Sequence, residues 1–202
     1  MKFRTYFLTL LILVLMSLVT FSSVFKYQDS PQIAAISKIG VKAQFGCIEH
    51  KTPAALDDDG KLSLLVWNIY KQSRSDWSKA LDTYSQGRQL LLLQEAALEK
   101  PLRHWVEQGQ WNGNQADAFR RFDISAGVLS LAKELPLRAC AYTELEPWIR
   151  LPKSALYSTY SLSNGQTLAV VNIHAINFTY GTVEYRQQIS TLASLLTNHT
   201  GR

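Results

Sequence analysis

The sequence predicts a mixed α/β domain, and three features carry that expectation. Short apolar runs end in polar residues, as strands buried in a sheet do. Segments with 3.6-residue apolar spacing alternate with those runs. Later, two strand-like segments meet across Ser163-Asn164-Gly165, a hairpin turn composition. Early alternation followed by a hairpin implies a sheet with both helical crossovers and antiparallel pairing.

The N-terminus comes first. Residues 6–25 read YFLTLLILVLMSLVTFSSVF without a charge, and Lys2 and Arg4 precede them. About 20 apolar residues at about 1.5 Å each match the hydrocarbon thickness of a bilayer. Residues 1–25 are therefore expected to be a hydrophobic helix acting as a signal anchor or a signal peptide, with its start on the cytoplasmic side. Ser22-Ser23 before Val24-Phe25 makes a poor small-residue cleavage site, which favours the anchor. The body is then inner membrane-anchored or exported and faces the periplasm; a cytoplasmic body is the alternative. Residues 26–60 read as a linker, with Pro31, Gly46, Pro53 and Gly60. The acidic run Asp57-Asp58-Asp59 reads as a solvated turn rather than a metal cluster.

The domain proper is expected over residues 61–202. Residues 62–68 (LSLLVWN) and 90–94 (LLLLQ) read as buried strands. Residues 75–84 read as a helix with Trp77, Ala80, Leu81 and Tyr84 on one face and Ser75 as N-cap. Residues 99–108 form a second amphipathic helix with Leu102, Trp105 and Val106 inward. A strand at 127–131, the hairpin 155–162 with 167–174, and a last helix at 182–197 complete the series.

Composition bounds the class. The 202 residues are 47% hydrophobic and 18% charged, enough for one domain with a real core and unlike a disordered tail. The formal charge is +5, of which Lys2 and Arg4 supply two, leaving +3 for the remainder. That balance is compatible with a phosphate-bearing substrate but does not argue for one. Cys47 and Cys140 pair if the body lies outside the cytoplasm and are otherwise two unpaired thiols; no Cys/His spacing points to zinc. Trp67, Trp77, Trp105, Trp111 and Trp148 read as core and rim packing rather than base-stacking platforms.

Three polar sites terminate apolar strands: Asn68, Glu95 after Gln94, and Asn172 with His174. Polar groups at such ends line a cleft at one rim of an α/β sheet. A carboxylate and amides offer hard oxygen ligands suited to Mg²⁺ or Mn²⁺, and a histidine can bind a non-bridging phosphate oxygen. Each also has a structural reading taken alone. Glu95 can cap a helix, Asn68 can start a turn, and His174 can be a satisfied core residue.

Their order resembles the endonuclease/exonuclease/phosphatase superfamily, which includes DNase I-like nucleases, abasic-site endonucleases and neutral sphingomyelinases. The motifs are LLVWNIYK at 64–71, LLLLQEA at 90–96, SAGVLSLAK at 125–133, LEPWIRLPKSAL at 145–156 and LAVVNIHAINF at 168–178. More narrowly, they look like its YafD-type bacterial branch. The resemblance implies a DNase I-like mixed β-sandwich flanked by helices, and a divalent-metal phosphoesterase. Glu95 matches the metal-binding carboxylate and Asn68 the amide beside it. His174 matches the histidine on the scissile phosphate, Asn172 shares its strand face, and Lys153 and Arg150 are weaker phosphate contacts. The partners implied are a phosphate-ester substrate, with nucleic acid among those open, and a membrane through residues 6–25. The superfamily's Gly-Asp-x-Asn and Ser-Asp-His motifs do not occur in this sequence. The expectation is therefore an incomplete site and fold, or an inactive, membrane-anchored binding protein that keeps the fold.

Overall fold

The computed structural model describes residues 2–26, 30–37, 40–121, 124–145, 152–176 and 181–200. Helix α1 spans Lys2–Val24, followed by strands β1 (Phe25–Lys26), β2 (Gln32–Ser37), β3 (Gly40–Phe45) and β4 (Cys47–Glu49). Strand β5 (Leu64–Asn68) leads through a short 3₁₀ turn at Tyr70–Gln72 to α2 (Trp77–Ser85), β6 (Leu90–Ala97) and α3 (Lys100–Gln108). Then come β7 (Asn112–Arg121), β8 (Ile124–Ala132), β9 (Arg138–Leu145), β10 (Pro152–Ser161), β11 (Thr167–Ile173) and α4 (Val183–Thr200).

The architecture is mixed α/β with two sheets. The larger runs β3-β2-β7-β8-β6-β5, with β1 also pairing to β7; the smaller runs β11-β10-β9-β4. Among the described strands only β5 and β6 pair in parallel, and α2 is the crossover that a parallel pair requires. The two sheets face each other. Ile33, Ala116 and Val128 of the large sheet pack on Ala139, Ala141 and Leu156 of the small one. Leu90, Leu92 and Ala132 pack on Tyr160, with Leu168 and Val170 beside it. On the outer face, Leu91, Leu93, Leu129 and Leu131 bury against Leu81 of α2 and Leu102, Trp105 and Val106 of α3. This two-sided covering explains why residues 90–93 are leucine throughout. Alternate side chains go to opposite faces and both faces are dry. Each such leucine contributes about 2 kcal/mol of burial.

Several expectations change. Residues 26–60 are not a linker. Strands β2 and β3 join the large sheet and β4 joins the small one, and Ile33 and Ile36 are fully buried. Strands β2 and β3 form a local hairpin, but the strands that hold it and β4 in the sheets, β7 and β9, lie far along the chain. Strand β7 was missed for a related reason. Its Asn114, Gln115 and Asp117 are buried polar residues that break the apolar pattern. Gln115 donates to the Ala96 carbonyl at 2.9 Å, and Asp117 accepts from the Ser125 hydroxyl. The position before α2 is held by Asp76 rather than Ser75, and it makes no side-chain cap. Asp57, in the acidic turn, accepts from the Ser163 amide at 2.6 Å and the Ser163 hydroxyl at 2.5 Å, which ties that turn to the tip of the β10–β11 hairpin.

The described apolar side chains of α1, Tyr6 and Phe7 among them, are exposed. Among the described residues no helix is long and apolar enough to cross a membrane.

Cys47 and Cys140 form a disulfide, with Cα atoms 4.1 Å apart and a sequence separation of 93. They are directly opposed partners in the β4–β9 register, so the bond clamps a three-residue edge strand to its neighbour. Closing so long a loop restricts the unfolded chain most. The double variant Cys47→Ala/Cys140→Ala is expected to lose about 2–5 kcal/mol of stability in a urea titration. A midpoint equal to that of the parent would show that β4 docks without the bond.

Candidate functional site

The site begins with an irregularity in β6. Its pairing with β8 shifts between Leu93 and Ala96, so Gln94 and Glu95 together oppose a single residue. Glu95 takes up the slack with φ of 51°, the left-handed region that side chains rarely adopt. Strand β7 carries a second shift, between Asp117 and Phe119, against the same stretch of β8. Gly127 lies between the two bulges, paired to Ala96 on one side and Asp117 on the other. A Cβ there would sit 1.9 Å from the Ala116 carbonyl oxygen. Only glycine permits that approach.

The bulge turns the Glu95 carboxylate towards the end of β5. Asn68 Nδ2 donates to Glu95 Oε1 at 3.0 Å, and Lys71 Nζ donates to Oε2 at 2.5 Å. From the other sheet, His174 follows directly on β11, with its amide bonded to the Ser154 carbonyl at 3.1 Å. Its Nε2 lies 3.5 Å from Glu95 Oε1 and 3.5 Å from Lys153 Nζ. Asn68, Glu95, His174 and Lys153 therefore converge at one rim. Lys71 joins them and was not singled out; its signal was the VWNIYK segment that also carries Asn68. Arg150 lies outside the described residues, as does Trp148.

Asn172 has a different place from the one expected. It is buried, and its Nδ2 reaches the Leu93 carbonyl at 3.2 Å, the Leu129 carbonyl at 3.1 Å and Ser130 Oγ at 3.3 Å. Its Oδ1 accepts from Gln94 Nε2 at 2.7 Å. The side chain is saturated and turned into the interior, so it holds the small sheet against the bulge instead of meeting a ligand.

The turn after Asn68 is also unusual. Tyr70, Lys71 and Gln72 have φ of 48°, 51° and 54° in succession, and none is glycine. Each such residue costs on the order of 1 kcal/mol. Bonds from surrounding groups hold the turn in place. Asn68 Oδ1 accepts from the Tyr70 amide at 3.0 Å, Ile69 N donates to the Gln94 carbonyl at 3.0 Å, and Gln72 Oε1 accepts from the Ala97 amide at 3.2 Å. The strain is what aims Lys71 at Glu95.

Burial alone would raise the pKa of Glu95. Hydrogen bonds from Asn68 and Lys71, with the charges of Lys71 and His174, outweigh it and hold the carboxyl below its ordinary value. The donor set for a metal is small: one carboxylate, with the Asn68 amide oxygen behind it. Among the described residues no group of three His, Cys, Asp or Glu side chains gathers around a point. Such a set fits Mg²⁺ held by one carboxylate, water and substrate oxygens, and does not fit an all-protein cage.

Two outcomes follow. Gly127→Ala is expected to cost about 3 kcal/mol in chemical denaturation, because the added methyl must push back the β7 backbone at Ala116–Ala118. A loss under about 0.5 kcal/mol would refute the close approach. Because the folded-state pKa of Glu95 is lowered, its stabilising contribution is present above the ordinary value of 4.5 and fades as pH falls through the lowered one. Metal-free melting of the wild type and Glu95→Gln from about pH 6 to about pH 3 should therefore converge in acid. A constant gap would show that the carboxylate is not held ionised.

No family model matches the sequence, and no solved structure matches it. Among known proteins, a UPF0294 protein of Vibrio campbellii is 52% identical over 192 residues, which cover 95% of this chain and 68% of that protein. A UPF0294 protein of Vibrio cholerae is 48% identical over 198 residues, covering 98% and 70%. One from Klebsiella pneumoniae is 37% identical over 146 residues, covering 72% and 55%. With about half its positions identical to these proteins along nearly its whole length, the chain belongs to the UPF0294 protein family.

Proposed function

We propose that this chain carries the metal- and phosphate-binding half of a phosphoesterase site on a DNase I-like sandwich. The observation that supports this most is the convergence of Glu95 from the β6 bulge, Asn68 and Lys71 from the end of β5 and the turn after it, and His174 from the end of β11. A bound Mg²⁺ or Mn²⁺ would supply Lewis-acid polarisation of a phosphoryl oxygen. Glu95 holds that ion, and Asn68 fixes the rotamer of the carboxylate through Oε1. Lys71 and Lys153 balance the charge of a phosphate, and His174 donates to a non-bridging oxygen. The general base and its orienting carboxylate belong to motifs that this sequence does not contain. The chain spans 68% of the Vibrio campbellii relative, and hydrolysis is proposed for the longer protein.

A second reading has its own support. Lys71 already sits 2.5 Å from Glu95, so the carboxylate is neutralised without a metal. On that reading the rim binds an anion and does no chemistry.

For the body we propose an extracytoplasmic location, held to the membrane by residues 6–25. The Cys47–Cys140 bond supports this, because disulfides persist in oxidising compartments. The site reading is tested by melting with Mg²⁺ or Mn²⁺. A ligand of the native state raises the melting temperature, by about 2.7 kcal/mol of stability at 100 times its Kd. The wild type should shift and Glu95→Gln should not. Equal shifts in both would remove Glu95 from the site. Stabilisation by inorganic phosphate without any metal effect would favour the second reading.

A further inference from the structure

Beside Asn68 the surface opens into a cleft of about 640 Å³ walled by Trp67, Tyr70, Trp77 and Tyr84, with Arg74 also lining it. That volume lies in the range of small-molecule pockets. We infer that this cleft is a stacking subsite for the planar base of a nucleotide-type phosphate ester whose phosphate lies at Glu95. The inference rests on the phosphoesterase reading and names its substrate class.

Four observations carry it. The cleft and the charged cluster share Asn68, whose amide is bonded to Glu95, so one small ligand spans both. The aromatic surface is not consumed by the core: Tyr70 is 63% exposed and Tyr84 56%, whereas Trp105 and Trp111 are buried. Trp67 and Trp77 are partly buried against the core, and Trp67 meets Tyr84 edge-on with centroids 5.9 Å apart, which stiffens one wall. Tyr70 stands at the start of the left-handed turn, where glycine would cost nothing and a bulky ring is retained. Every base has a π-face for such walls, and a guanidinium stacks on it as well. Arg74 disfavours a quaternary ammonium headgroup, and a wall with Arg74, Asp76 and Asn68 suits polar base edges better than an acyl chain.

The test is titration of the 202-residue chain with adenosine, AMP, ribose 5-phosphate and phosphocholine, with and without Mg²⁺, followed by calorimetry. Adenosine is expected to bind without metal, and AMP to bind about tenfold or more tighter than ribose 5-phosphate. Tyr84→Ala and Tyr70→Ala, at two separate exposed positions, should each weaken AMP by about tenfold and leave ribose 5-phosphate unchanged. Equal binding of AMP and ribose 5-phosphate, or tighter binding of phosphocholine than AMP, would overturn the subsite. Adenosine binding that persists while Mg²⁺ has no effect on AMP would uphold the subsite and overturn the phosphoesterase reading. Metal-linked binding of AMP with no preference for the base would do the reverse.

Discussion

Asn172 lies on the outermost strand of the small sheet, yet its side chain is bonded wholly to the large one. Its amide reaches the carbonyls of Leu93 and Leu129, where the bulge interrupts the β6–β8 ladder, and its oxygen takes the Gln94 amide. Buried carbonyls without donors cost on the order of 1–3 kcal/mol each, so the bulge in β6 and the docking of β11 stabilise one another. Glu95 is adjacent to Gln94, and His174 is two residues beyond Asn172. One buried network therefore sets the distance between the carboxylate and the imidazole, although they arrive from different sheets.

Around that network the backbone is held in conformations that free chains avoid. Glu95 and the Tyr70–Gln72 turn occupy the left-handed region, and Gly127 of β8, flanked by the bulges of β6 and β7, lets the β7 backbone at Ala116 approach closely. Such strain survives only where surrounding bonds over-determine it. Here it is coupled to electrostatics. The turn delivers Lys71 to Glu95, and the resulting pair keeps the carboxylate ionised despite its burial. The same turn leaves the Tyr70 ring in solvent beside an aromatic cleft, so a single distorted segment serves both the charged and the apolar parts of the rim.

The segment 32–49 gives the sandwich its closure at the far side. Strands β2 and β3 extend the large sheet, Gly46 turns the chain with φ of 80°, and β4 enters the small sheet directly opposite β9. The chain passes from one sheet to the other through the single residue Gly46, between Phe45 and Cys47. The Cys47–Cys140 bond lies immediately after it. The disulfide thus secures the point where the two sheets are linked covalently by the shortest path.

Local pattern determined much of this protein. The leucine run of β6, the amphipathic spacing of α2 and α3, and the turn at Ser163-Asn164-Gly165 each declare themselves within one window, because the physics that forms them is local. Asn68 and His174 were legible because a polar residue closing an apolar strand must sit at a sheet rim, whereas Glu95 stands at a bulge inside β6, which continues to Ala97. The tertiary structure decided the rest. Strand β7 is polar in sequence and central in space, since Gln115 and Asp117 are satisfied by Ala96 and Ser125. The hairpin of residues 32–45 and the short β4 could not be placed from sequence because the strands that receive them, β7 and β9, are distant in the chain. Whether Asn172 faces a ligand or the interior depends on the carbonyls that a bulge in another strand leaves open. Sequence periodicity records which face of an element is buried; only the assembled sheets determine which buried polar group finds its partner there.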